Sequence, residues 1–160
     1  KSNFKIYTVQ DIIFRFLRDR FLLKREYEKF MFKLFAYKKF DYKKILKKLF
    51  MSSRNLNKLS KLGHEIGLHS NSHPTRLKDL SKIHQLKEYN TNKKILKNFV
   101  KKIDIISMSH PCGSYNQDTI NILKNMKIQI GFRSDLKNKN LSGLEVARMD
   151  HSIINKYLKT

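Results

Sequence analysis

The sequence predicts an α/β fold in which short parallel strands alternate with helices, as a partial barrel or an open sheet, with a helical segment at its N-terminal end. Three observations predict it. Apolar residues recur at helical spacing through the first sixty residues. Short apolar runs near 65–69, 103–108, 128–132 and 145–149 then read as strands. Between them, strand, polar loop, helix and strand repeat in that order.

Residues 4–9 alternate loosely, as a strand or as the lead-in to a helix. Thr8 followed by Asp11 has the spacing of an N-terminal capping pair. Ile12, Ile13, Phe16, Leu17 and Phe21 then share one helical face. Tyr27, Phe30, Met31, Leu34 and Phe35 mark a second helix. Asp41 can cap a third that carries Ile45, Leu46, Leu49 and Phe50. Ser53 can cap a fourth, with Leu56, Leu59 and Leu62 inward and Gly63 as its stop. This segment should be basic outside and aromatic inside. A basic amphipathic helix lying on a membrane is the other reading of the same pattern.

Further on, Ser81 can cap a long helix to about Val100, with Leu86, Tyr89, Leu96 and Val100 inward. Asn90 to Asn92 should weaken its middle. Asn116 caps a helix with Ile120, Leu123 and Met126 inward. There is no internal repeat and no linker. The expectation is one domain over 1–160, with a mostly helical segment over 1–62 and an α/β part over 63–160.

The 160 residues, 40% of them hydrophobic, suffice for one domain with a core. The net charge of +22 raises non-specific affinity for nucleic acid and anionic membranes. Only eight of the 35 basic residues are Arg, whose planar fork suits phosphate and base recognition, so no specific nucleic-acid partner is expected. Abundant Lys, Asn and Ile point instead to a compositional bias that leaves the charge on solvated faces. No apolar run approaches the ~18 residues of a membrane span. The first twenty residues carry charges throughout, unlike a signal peptide. Cys112 is the single cysteine, which excludes an intrachain disulfide. Together these favour a cytoplasmic location; the oligomeric state is open.

The stretch with the most chemistry runs from Gly63 to Pro74 and holds three of the six histidines. Ile66 and Leu68 alternate with Glu65 and Gly67 as a short strand. Pro74 should bias His73 toward an extended backbone, which makes 69–73 a loop at a strand end. Two imidazoles four residues apart there, His69 and His73, can converge on one metal ion, steadied by the serines and asparagine between them. The plain alternative is two surface histidines in a polar turn. His64 and His84 read as surface residues. Downstream, Pro111 and Gly113 fix a tight turn. His110 could activate a Cys112 thiolate or serve as a third metal ligand. Arg148, Asp150 and His151 form a polar cluster at the end of the last strand, where neighbours point to opposite faces.

His69-Ser70-Asn71-Ser72-His73 after Gly-His-Glu-Ile-Gly-Leu resembles the H-[ST]-x-x-H motif of the polysaccharide deacetylase family (NodB-homology domain, carbohydrate esterase family 4). Ser109-His110-Pro111-Cys112-Gly113 resembles that family's R-x-P-[YFW]-G loop, with Ser109 and Cys112 in place of the usual Arg and aromatic. The resemblance spans roughly residues 50 to 151 and implies a (β/α) barrel of the NodB type.

It also implies that His69 and His73, with an aspartate, bind a divalent cation: zinc first, then cobalt, nickel or manganese. Ser70 would steady that loop. The amide of Cys112 would help hold the oxyanion, a role that does not depend on the side chain. A late Arg or Asp, here Arg148 or Asp150, would tune His151 as general acid, although at most one of Asp150 and His151 faces the site if the strand continues there. Ser70, Pro111, Gly113, Tyr115 and Arg148 would face the substrate, an acetylated oligo- or polysaccharide that loses its N-acetyl or O-acetyl groups by hydrolysis.

One departure matters. The family's first motif, T-F-D-D-G, supplies the catalytic base and the third metal ligand, and nothing here matches it. Asp11, Asp19 and Asp41 sit in helical, basic surroundings. The chain opens on Lys1, so the expectation is the C-terminal portion of such a deacetylase, incomplete for catalysis. The rivals are a non-catalytic glycan-binding relative and a basic protein that binds nucleic acid or a membrane surface.

Overall fold

The computed structural model describes residues 7–100, 104–136, 142–149 and 154. The chain divides into two compact units, Lys1–Met51 and Ser52–Thr160.

In the first unit, α1 (Val9–Phe16) opens on the expected capping pair. The Asp11 amide donates to Thr8 Oγ1 at 3.2 Å, and the Thr8 amide donates to Asp11 Oδ2 at 3.0 Å. The Thr8 hydroxyl also donates to Asp11 Oδ2 at 2.8 Å, and this bond, with that of the Thr8 amide, holds the Asp11 carboxyl below its usual range. A π-helical turn, Leu17–Phe21, continues α1. α2 (Lys24–Tyr37) follows, and α3 (Tyr42–Leu49) is capped by Asp41, which accepts the Lys44 amide at 3.0 Å. The Tyr42 ring lies 5.7 Å from Phe32 and 5.8 Å from Phe35. The expected aromatic interior does not form. No described side chain of this unit is buried, and Phe16, Phe21, Leu49 and Phe50 are 56%, 72%, 72% and 68% exposed. Three short helices have too little surface to enclose one another's apolar faces.

In the second unit, α4 (Ser53–Lys61) is capped by Ser52, whose hydroxyl accepts the Asn55 amide at 3.2 Å; Ser53, the expected cap, lies one position inside. Leu56 and Leu59 are half-buried, and Leu62 is exposed rather than inward. α5 (Lys82–Phe99), β1 (Ser107–Ser109), α6 (Gln117–Asn125) and β2 (Ile130–Phe132) follow. Ser81 stands at the N-cap of α5, but its hydroxyl pairs with His84 Nδ1 at 2.7 Å instead of capping. Asn116 caps α6 as expected.

β1 and β2 pair in parallel, with Ser107 opposite Ile130 and Ser109 opposite Phe132. Leu68 forms a parallel bridge to Met108, and Val146 one to Phe132. Each of the four expected strands therefore contributes to one parallel sheet, in chain order, but the first and last shrink to single bridges. Among the described residues the barrel is not closed. Gly131 lets the last segment come close: a Cβ there would lie 2.5 Å from the Leu144 carbonyl oxygen.

Leu68, Ile105, Met108, Ile128 and Leu144 on the sheet side pack with Leu77, Tyr89, Ile120, Ile122 and Leu123. On α5 the inward stripe differs from expectation. Leu86 is 38% exposed, and buried Gln85 takes its place, donating to the Leu80 carbonyl at 2.9 Å and accepting the Thr119 hydroxyl at 2.6 Å. Among the described residues no helix is long and apolar enough to cross a membrane.

Candidate active site

The 69–73 loop leaves the sheet at Leu68, whose amide and carbonyl are both bonded to β1. It then turns sharply. Ser70 and His73 have φ of 62° and 51°, a left-handed backbone that non-glycine residues rarely adopt. The extended conformation expected at His73 is not found, because its amide turns back to donate to Ser70 Oγ at 3.1 Å. Ser70 is buried, so it shapes the loop and does not face a ligand.

Helix α5 holds this strained turn. Glu88 accepts the Asn71 amide at 3.0 Å, the Ser72 amide at 2.7 Å and the Ser72 hydroxyl at 2.7 Å. Asn92, one turn on, accepts the His69 amide at 3.0 Å. Four acceptor contacts from one helix face offset the cost of two left-handed residues. The sequence reading missed both residues and took the asparagines for a weak point. The signal was there: Asn92 lies on the buried stripe of Gln85, Tyr89 and Leu96, where a polar residue needs a partner.

The rings of His69 and His73 are exposed, with centroids 4.9 Å apart and planes at 58°. His69 Nδ1 lies 2.9 Å from the Ser109 carbonyl oxygen. A carbonyl only accepts, so Nδ1 carries the proton and Nε2 is the nitrogen that a metal would have to take. That is the arrangement by which a protein orients an imidazole ligand. The two rings therefore lie side by side at the end of the sheet. No third carboxylate, histidine or cysteine joins them among the described residues. Asp150 and His151 lie outside the described residues.

Beside His69 is a cleft of about 410 Å³ lined by Gly67, Leu68, Ser107, Met108, Ser109, Phe132 and Arg148. It sits where the parallel segments end, the usual ligand position of such sheets. Arg148 donates to Ser109 Oγ at 3.4 Å and is the one Lys or Arg in the lining, so the chain's lysines are not gathered here.

After β1 the chain makes a 3₁₀ turn over Pro111–Gly113, with φ of 52° at Cys112 and 64° at Gly113. The Gly113 amide donates to the His110 carbonyl at 3.1 Å and the Ser114 amide to that of Pro111 at 2.9 Å. Pro111 is buried and acts by fixing the turn, not by touching substrate. Cys112 is exposed.

His110 takes neither role considered for it. It is 2% exposed, its Nε2–H donates to the Leu144 carbonyl at 2.8 Å, and its buried Nδ1 has no hydrogen-bond partner. With one nitrogen bonded to a backbone carbonyl and the ring closed off from solvent, it presents no nitrogen to a metal at the surface. Burial lowers its pKa, so it stays neutral. Its ring stacks on Tyr115 with centroids 4.2 Å apart. Burial, with hydrogen bonding to Glu145, raises the Tyr115 hydroxyl. Tyr115 is half-buried, with its ring packed on His110.

A family model described as polysaccharide deacetylase matches residues 21–131. Among solved structures, the chain is similar to the Streptococcus pyogenes deacetylase PplD in complex with acetate, with 20% identity and a TM-score of 0.55 over 62% of this chain and 44% of that one. It is similar to the BpsB deacetylase domain from Bordetella bronchiseptica, with 16% identity and a TM-score of 0.54 over 62% and 48%. A de-N-acetylase from Aggregatibacter actinomycetemcomitans gives 16% and 0.54 over 68% and 53%. The chain thus spans about half the length of these structures. A comparison with curated proteins gives no match. At these identities the likeness concerns the fold. The family model, however, covers well over half of the sequence, and the chain belongs to the polysaccharide deacetylase family, hydrolases acting on carbon–nitrogen bonds other than peptide bonds.

Proposed function

We propose that the chain carries the histidine half of a metal-dependent deacetylase site that removes N-acetyl, or O-acetyl, groups from an oligo- or polysaccharide. One observation supports the reading: the His69 Nδ1–H bond to Ser109, which leaves Nε2 as the nitrogen for a metal, with the His73 ring 4.9 Å away, centroid to centroid. These two residues would hold a divalent ion, zinc first, which when bound polarises an acyl carbonyl and acidifies water. Glu88, Asn92 and Ser70 keep the two rings in place. The cleft beside His69 receives the acyl group, and Arg148 at its rim orients the sugar. The amide of Cys112 donates to the oxyanion, while Gly113 allows the turn that presents it. Water and amide become acetate and a free amine.

The base is the open part of this scheme. A carboxylate that takes the proton from water is worth ~10²–10⁴-fold in rate, and no such group joins the histidines among the described residues. The same observation favours the second reading, a relative that binds acetylated glycans without turning them over. Acetate release from acetylated chitooligosaccharides and peptidoglycan fragments, with added zinc or cobalt, separates the two. We expect weak cobalt binding that His69→Ala abolishes, and little or no turnover by these 160 residues. Robust turnover lost in His69→Ala would mean that the chain supplies its own base, with Asp150 the first residue to test. Cobalt binding that survives in the double variant His69→Ala/His73→Ala would sink the metal assignment.

A further inference from the structure

The unit Lys1–Met51 carries 15 Lys and Arg against five Asp and Glu, a net charge of +10, and nine of the eleven phenylalanines. None of its described side chains is buried. The apolar residues are not scattered. On α3, Tyr42, Ile45, Leu46 and Leu49, with Phe50 just beyond, fall on one stripe at helical spacing. Lys43, Lys44, Lys47 and Lys48 occupy the rest of the circumference. On α1, Val9, Ile12, Ile13 and Phe16 make a second stripe, 67%, 40%, 51% and 56% exposed. α3 thus carries an apolar stripe bordered by lysines, with Tyr42 at its start packed on Phe32 and Phe35, and α1 carries a second exposed apolar stripe with one cation, Arg15.

Three occupants could cover such stripes, and charge separates them. A second copy would bring another +10 against the first, so like charges oppose self-association. A nucleic acid would use the cations and can stack an unpaired base on a phenylalanine, but it offers nothing to the aliphatic Ile45, Leu46 and Leu49 that make up most of the α3 stripe. A bilayer with anionic headgroups satisfies both halves: acyl chains take the apolar stripe, and headgroup phosphates take the lysines. We propose that Lys1–Met51 is an in-plane membrane anchor, with α3 and α1 lying on an anionic phospholipid surface. The inference does not use the histidine site, although α3 lies within the stretch that the family model matches and α1 precedes it.

The test uses the full chain and sedimentation with two kinds of vesicle, phosphatidylcholine alone and phosphatidylcholine with a minority of phosphatidylglycerol. Binding to the anionic vesicles should be at least about tenfold tighter and should fall as salt is raised. L49S/F50S should release the protein, and K47Q/K48Q should weaken binding to anionic vesicles alone. The lysine pair is exposed, so this variant keeps the test valid even if the apolar one misfolds by circular dichroism. The chain has no tryptophan, so F50W supplies a single indole whose emission should shift to the blue on anionic vesicles. Equal binding to both vesicles, no binding to either, or binding that L49S/F50S leaves intact with the fold preserved would each overturn the proposal. So would concentration-dependent dimerisation by light scattering with no vesicle binding.

Discussion

The helices of Lys1–Met51 and those of Ser52–Thr160 begin from the same sequence signals. Both sets show apolar residues at helical spacing, a polar capping residue and lysines on the remaining faces. In the second unit those faces close on a sheet, and Leu77, Tyr89 and Leu123 are fully buried. In the first, no described side chain is buried. All five glycines and both prolines belong to the second unit. They make the turns and close approaches that bring a second layer within reach. Periodicity therefore specifies a helix and its apolar face, but burial needs a partner surface, and only the second unit has one of its own.

The sharpest test of that contrast is a pair of truncations. Leu123→Ala empties a fully buried position and should cost about 2–5 kcal/mol. Phe16→Ala removes a larger side chain that is 56% exposed and should cost well under ~1 kcal/mol. Urea denaturation of each variant, compared with the parent, decides the matter. A similar loss from both would mean that the first unit has a core after all.

Next in size is the clamp on the histidine loop. Glu88→Ala leaves two amides and a hydroxyl without their acceptor beside two left-handed residues. We expect a loss of roughly 1–3 kcal/mol in stability. Cobalt affinity, followed by calorimetry, should fall about 10–100-fold, since the residue orients ligands without being one. Glu88→Gln keeps one acceptor oxygen and should fall between. A Glu88→Ala variant with parental cobalt affinity would mean that the loop holds itself.

The clamp also marks the limit of what the sequence alone discloses. Helix positions, the Thr8, Asp41 and Asn116 caps and the chain-ordered parallel segments follow from local pattern, because propensity and capping act over a few residues. His69 and His73 follow from spacing and a strand-end context. What stayed hidden depends on long-range partners. Glu88 and Asn92 reach across 16 to 23 residues to the loop, and His110 finds the Leu144 carbonyl 34 residues on. Neither distance is written in any local window. The inward face of α5 was misread for the same reason: Gln85 is acceptable inside only because Leu80 and Thr119 supply partners.

A smaller effect concerns acid. His110 is buried neutral, and burial holds its pKa below the ordinary histidine value. Below about pH 6.5, the usual value of an unfolded histidine, the unfolded chain binds a proton that the folded chain refuses. Stability is therefore fully present above that pH and falls as pH drops from there toward the folded value. The variant His110→Gln should be less stable at neutral pH but should lose less on acidification between pH 7 and 5. Thermal melts across that range read the slope. A parental slope in the variant would assign the acid sensitivity to other groups.

The smallest effect is the most telling for the comparison. Leu49→Ser places a polar side chain on the α3 stripe at a position 72% exposed in the fold. In a core, the same change would leave both a cavity and an unsatisfied hydroxyl. Here the water contacts already exist. What remains is the lower helix propensity of serine, a few tenths of a kcal/mol near the end of an eight-residue helix. The change in stability should thus be about 0.5 kcal/mol or less, and the circular dichroism spectrum should keep its helical signal. Solubility should rise, because one large apolar side chain leaves the surface. A loss of several kcal/mol would mean that Leu49 is covered in solution by something the fold of Lys1–Met51 does not itself provide. Repeating the melt with anionic vesicles then decides what that cover is. Parental protein should gain stability from the vesicles through binding linkage, and Leu49→Ser should gain little.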